Sequence, residues 1–169
     1  MAAMKKFLVI GNKNAITYKE IFPLLKENKI WLGMTMQSGG RFIVSDEKTT
    51  SVAAKCIDGV NTAFICGAHW FTNLDHTKRH EPIDLYKRYT PEEYPKYDNY
   101  DAIEVSKTCE IPMDYYDIMS VPITFFDKYC KDQFEIIGYA CSGSNNQFDY
   151  FKPIINGKNI YKRLLIKRR

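Results

Sequence analysis

The sequence has no cysteine pair in CxxC spacing and no apolar run approaching the length of a membrane span. It also has no HExxH motif, no P-loop and no Ser/His/Asp arrangement in recognisable form. Its five cysteines, Cys56, Cys66, Cys109, Cys130 and Cys141, are odd in number and widely spaced. That pattern argues against a disulfide framework and for a reduced, cytoplasmic chain. After Lys5-Lys6 only four apolar residues precede Gly11, too few for a secretion signal. Histidine is scarce: all three lie between residues 69 and 80.

The chain has 169 residues, of which 45% are apolar, enough for one domain with a sizeable core. The net charge of +4 is modest but unevenly placed, because Lys162–Arg169 holds five cations and no acid. Such a segment either contacts phosphates or forms a strand with a solvated basic tail.

Phe7-Leu8-Val9-Ile10 is a continuous apolar run ending in Gly11-Asn12, the pattern of a strand buried on both faces in a parallel sheet. Thr17-x-x-Glu20 has capping-box spacing and predicts a helix through Ile21, Phe22, Leu24 and Leu25, in which Pro23 makes a kink or a broken first turn. The chain therefore opens as half of a βαβ unit. From Lys29 onward the pattern changes to short strand candidates: residues 30–32, 41–44, 62–66, 102–105 and 134–137. The expected class is α/β passing to α+β or mostly antiparallel β. Asn156-Gly157 between two short runs predicts a tight hairpin. Residues 81–100, rich in proline and tyrosine, read as an ordered long loop.

Trp70–Glu81 (WFTNLDHTKRHE) concentrates two aromatics, imidazoles, carboxylates and adjacent cations, and reads as a loop or the start of a helix that meets something anionic or planar. His76 and His80 have helical spacing with His69 and Asp75 nearby, yet Thr77 stands where a zinc protease needs glutamate. Ordinary hydrogen-bonded histidines are the plainer reading, with a metal-dependent hydrolase on His69, His76 and His80 as the weakest alternative. Tyr86, Tyr89, Tyr94, Tyr97 and Tyr100 interleave with Lys78, Arg79, Lys87, Arg88 and Lys96. Rings that stack on bases beside cations that hold phosphates suit a nucleic-acid surface, and a tyrosine-rich loop packed on its own domain looks the same. Asn12 and Asn14 follow a strand's carboxyl end, where ligands of α/β sheets gather; alternatively they bond their own turn. Ser142–Asn146 reads as a polar loop.

Four blocks, in order, carry a resemblance: Gly11–Pro23 (GNKNAITYKEIFP), Trp70–Glu81, Tyr94–Ile103 (YPKYDNYDAI), and Val121–Tyr129 (VPITFFDKY) continuing into Asp132–Gly138 (DQFEIIG). Together they resemble the carboxyl-terminal part of the EcoRI-type adenine-specific DNA methyltransferases, from about Lys5 to the closing hairpin. The resemblance implies a partial Rossmann-like methyltransferase sheet followed by a mostly antiparallel β target-binding region. Residues 5–33 would form a late βα unit and residues 34–169 the target-recognition and closing region.

It also implies transfer of a methyl group from S-adenosylmethionine to adenine N6 in double-stranded DNA, with the base taken out of the stack. The family's Pro-Pro-aromatic motif and Gly-rich cofactor loop are missing, since the seven prolines are all isolated. This chain is expected to start after them, to hold no cofactor and transfer no methyl group alone, and to need an amino-terminal methyltransferase segment. The resemblance makes Asn12 and Asn14 candidates for the active-site edge and Tyr97 and Tyr100 for base or sugar stacking. Trp70, Asn73, His76, Lys78 and Arg79 are the DNA-contact candidates, and no catalytic or metal-binding residue is assigned. A module that binds nucleic acid or protein without catalysis is the alternative.

Overall fold

A computed structural model describes residues 5–35, 39–45, 54–140, 149–150 and 152–169. The predicted Ser142–Asn146 loop lies outside them. Strand β1 (Leu8–Asn12) runs into a 3-10 turn (Lys13–Thr17), helix α1 (Phe22–Lys26) and strand β2 (Trp31–Leu32). Strands β3 (Gly39–Ile43), β4 (Ala54–Ile57), β5 (Val60–Cys66) and β6 (Ala68–Thr72) follow. After a 3-10 turn at Thr77–His80 and a long loop come β7 (Ile103–Glu104) and β8 (Met119–Val121). The chain closes with β9 (Phe134–Ala140), β10 (Asp149–Tyr150), β11 (Ile154–Ile155), β12 (Lys158–Asn159) and β13 (Arg163–Arg168). The described residues are therefore sheet-rich with little helix, and none of their helices is long and apolar enough to cross a membrane.

The strands form three sheets, ordered β1-β6-β2, β3-β5-β4 and β10-β9-β13-β8-β7, plus the β11-β12 hairpin. The five predicted strand segments are all present, as parts of β2, β3, β5, β7 and β9. The hairpin is also present, with Asn156 at φ 49° and Gly157 at φ 72°, the left-handed pair that a two-residue turn requires.

The opening segment differs from its expectation. β1 pairs antiparallel with β6, with Leu8 opposite Thr72 and Asn12 opposite Ala68, and no parallel strand flanks it among the described residues. Its apolar run is not buried on both faces: Leu8, Val9 and Ile10 are 51, 50 and 51% exposed. The capping box is absent too, because Thr17 Oγ1 donates back to Asn14 O at 2.9 Å and Ile21 occupies the N-cap position. Pro23 sits in the first turn, where its missing N–H costs nothing, so α1 is short rather than kinked. Phe22 and Leu25 anchor it in the core, with the Phe22 ring 5.8 Å from that of Tyr139.

The five-stranded sheet is the centre of the molecule. Alternation sends Leu164 and Ile166 of β13 into the main cluster with Phe125, Phe134 and Met119, and Leu165 to the other face with Ala102, Ala140 and Tyr97. The basic carboxyl-terminal segment thus forms a strand flanked by β8 and β9. Arg163 is bound to Glu104 and Arg168 donates to Met113 O and lies over the Tyr116 ring. The loop at residues 81–100 is ordered against its own fold: Tyr94 is buried and donates to Glu110 O at 2.7 Å, and Tyr89 packs on Tyr94 and Tyr115. Tyr86 alone of its five tyrosines is strongly exposed, at 64%.

Candidate functional site

β1 delivers Asn12 to its carboxyl end, beside the bend where β5 passes into β6. Gly67 makes that bend at φ 74°, a conformation that favours glycine. The Lys13 amide donates to Gly67 O at 2.7 Å, and Asn12 Oδ1 accepts from the Asn14 amide at 2.9 Å. Asn12 therefore caps its own turn, and Asn14 is exposed beside it. Beneath this turn lies a carboxylate bridge. Asp127, from the 3-10 turn at Ile123–Lys128, holds Lys13 Nζ at 2.5 Å and faces His69 Nε2 at 3.4 Å, with all three side chains largely buried. The bridge joins the ends of β1 and β6 to a turn that lies 114 residues beyond Lys13.

The second half of the site is the Trp70–Glu81 stretch. Its first part is strand β6, and Trp70 faces Gly33 so closely that a Cβ on Gly33 would stand 2.6 Å from the Trp70 Cβ. Asn73 clamps the start of β1, accepting from the Phe7 amide and donating to Lys5 O, each at 2.9 Å. His76 Nε2 donates to Leu32 O at 3.0 Å. Arg79 is 8% exposed, its guanidinium 3.5 Å above the Trp31 ring and bonded to Asn28 Oδ1 at 3.2 Å. Cation–π stacking on a desolvated ring contributes about 1–2 kcal/mol, so Arg79 holds this corner together. Lys78 is half-buried, and no ion pair engages it among the described residues. It sits at a groove of about 320 Å³ that also includes Glu81, Asp84, Cys109 and Lys128, a surface of mixed charge.

The three histidines diverge. His69 meets Asp127, His76 meets a backbone carbonyl, and His80 lies 2.9 Å from Asp75 and 3.3 Å from Asp132. No group of three His, Cys, Asp or Glu among the described residues is arranged to hold a metal. The hydrogen bond to Asp75, then that to Asp132, raises the His80 pKa above its usual value. The bond with His80 in turn lowers the Asp75 pKa.

A small cavity behind these residues is bordered by His69, His76, Arg79 and Asp127 and walled by Leu25 and Phe126. Its volume of about 30 Å³ suits a water molecule, whereas small-molecule pockets measure about 300–1,000 Å³. Together with the lack of a Gly-rich loop, this means that the residues of this cavity do not fit S-adenosylmethionine.

Tyr97 and Tyr100 lie elsewhere, on the five-stranded sheet. Tyr97 is 6% exposed and donates to the Glu104 carboxylate, with Ser120 Oγ 2.9 Å away. Tyr100 stacks on it at 4.7 Å. Arg163 grips the same carboxylate through Nε at 2.9 Å and Nη2 at 2.6 Å. Burial raises both phenol pKa values, that of Tyr100 to about 12. In this structure the Tyr97 ring belongs to the interior, and a base cannot reach its face without rearrangement. Sequence reasoning passed over Asp127, His69 as its partner, Glu104 and Arg163. Only the spatial meeting of distant charges marks them.

A model of the adenine-specific methyltransferase EcoRI family matches residues 1–169. The type II methyltransferase M.EcoRI of Escherichia coli is 45% identical over 98% of this chain, which covers 51% of that protein. M.MpnI of Mycoplasma pneumoniae and M.MgeORF184P of Mycoplasma genitalium, also type II methyltransferases, are 36 and 34% identical, and this chain covers 57% of each. The chain thus spans about half the length of the curated relatives it matches. No solved structure matches it. With the family pattern running through all three sheets, the chain belongs to the EcoRI-type adenine-specific methyltransferase family.

Proposed function

We propose that this chain is the carboxyl-terminal, target-facing part of an S-adenosylmethionine-dependent adenine-N6 DNA methyltransferase of a restriction-modification system. The observation that carries the reading is the family match over the whole chain beside relatives about twice as long. The strand directions support it. β1 and β2 each run antiparallel to β6, so they share one direction with the reversed strand between them. That arrangement is compatible with the closing edge of a Rossmann-like methyltransferase sheet, with residues 34–169 supplying most of the target-binding surface.

In this reading Asn14, exposed on a turn that Asn12 caps, meets the flipped base or its sugar. Lys78, which no ion pair engages among the described residues, contacts backbone phosphate from the groove it shares with Lys128. Trp70, Asn73, His76 and Arg79 hold that surface in register. The cofactor, in this reading, supplies the methyl group, and the residues that would grip it belong to the part of the relatives that this chain does not match.

The test is a fusion in which this chain replaces its counterpart in the Escherichia coli relative. We expect N6-methyladenine in the DNA of cells that express it, and a folded fusion that leaves adenine unmethylated overturns the reading. In DNA binding, Lys78→Ala is expected to lower the slope of log affinity against log salt by about 1, without changing sequence preference.

A further inference from the structure

The geometry points to the outer edge of β1 as the docking seam for the rest of the methyltransferase, a segment that adds a strand beside Leu8–Asn12 and covers both of its faces. The inference rests on the proposed function for the identity of its occupant, and on the strand itself for its place.

β6 takes one edge of β1, and the other edge carries no strand among the described residues. Natural edge strands are blunted by charge, proline, a bulge or a covering element, because a bare edge recruits other strands. Among the described residues β1 shows none of these devices. Its five residues, Leu-Val-Ile-Gly-Asn, include no charge and no proline, and its register with β6 runs without a bulge. Successive side chains of a strand point to opposite faces, so half-exposed Leu8 and Ile10 lie on one side and half-exposed Val9 on the other. The face of Val9 is partly covered, since Phe7 packs on the main core and Gly11 lies against the Phe71 ring. Half-exposed aliphatics still stand on both faces, beside an edge that carries no strand among the described residues.

The seam is also preorganised, which lowers the ordering cost of association. Asn73 holds Phe7 and Lys5 at one end of β1, and the Lys13–Gly67 hydrogen bond and the Lys13–Asp127 pair hold the other. The occupant follows from size. Relatives at 34–45% identity carry about as much chain again beyond the part matched here. A second copy of this chain, pairing β1 with β1, is the competing occupant.

The probe is the portion of the Escherichia coli relative that this chain does not match, co-expressed with it in the absence of DNA and added S-adenosylmethionine. Light scattering should report a one-to-one complex, and hydrogen exchange should slow at the amides of residues 8–12. Val9→Asp on one face and Ile10→Glu on the other should each weaken the complex by on the order of 100-fold, because each buries an unpaired charge. Neither should change the circular dichroism of the separate chain.

A complex indifferent to both substitutions, unchanged exchange at residues 8–12, or no complex at all overturns the proposal. So does a homodimer of this chain that the same substitutions dissolve. Methyl transfer is not read in this experiment. An inactive fusion would thus sink the functional reading and leave the mass and exchange results standing.

Discussion

Two strands that share a run of three aliphatic residues have opposite fates. β13 carries Leu164-Leu165-Ile166, and all three are fully buried. β1 carries Leu8-Val9-Ile10, and each is about half exposed. Intrinsic preference does not separate them, since both are aliphatic runs suited to a strand covered on two sides. Their neighbours do. β13 lies between β8 and β9 with a packed cluster on either face, whereas β1 has β6 on one edge and no strand on the other among the described residues. A run of three aliphatics states a demand for cover, and only the rest of the fold meets it.

The comparison breaks most readily at the charge that ties β13 to the sheet. Glu104→Ala leaves Arg163 without the carboxylate it grips through two nitrogens, and removing one partner of such a pair costs about 3–5 kcal/mol. Chemical denaturation should show that loss, and Arg163→Met with Glu104→Leu together should recover much of it. Next comes the core: Leu165→Ala is expected to destabilise by about 2–5 kcal/mol in the same assay. Val9→Ala, removing a similar aliphatic group from β1, should stay within about 0.5 kcal/mol in the separate chain. A Val9→Ala cost equal to that of Leu165→Ala would mean that β1 is already covered, and the contrast would fail.

The smallest effect is electrostatic. His80 gains Asp75 and Asp132 in the folded state, and its pKa is raised. Its stabilising share is therefore complete below the ordinary histidine pKa and is lost as pH rises through the raised folded value. The carboxylates run the other way. The Asp75 pKa is lowered by His80, and that of Asp132 by Lys131 and then His80, so their share is lost as pH falls through the lowered values. Asp75→Asn should shift the His80 NMR titration back toward an ordinary histidine while barely moving the melting point. A His80 titration unchanged by Asp75→Asn would show that the contact is not formed in solution.

Within the site, legibility followed distance along the chain. The Asn12 turn depends on a bond two residues long, and self-capping was one of the two readings its sequence allowed. Trp70–Glu81 was conspicuous by composition, yet its parts separate into a strand, a clamp on β1 and a stacked guanidinium. Arg79 looked like a phosphate contact because adjacent cations usually face water. Trp31 and Asn28, which bury it, lie about fifty residues earlier. Tyr97 looked like a stacking platform because tyrosines and cations interleave around it, and Glu104 and Ser120 draw its hydroxyl inward.

The amino-acid order by itself determined the features with short-range causes: the Asn156-Gly157 turn, the strand-forming runs, and the ordered blocks that mark the family. Tertiary structure alone decided that β1 runs antiparallel to β6, that the basic carboxyl-terminal segment is an interior strand of the five-stranded sheet, and which cations are held and which stay open. The physical reason is that turn chemistry and side-chain alternation act over a few residues. Strand direction, burial and charge pairing depend instead on partners such as Asn73 for Phe7, 66 residues apart, and Glu104 for Arg163, 59 residues apart.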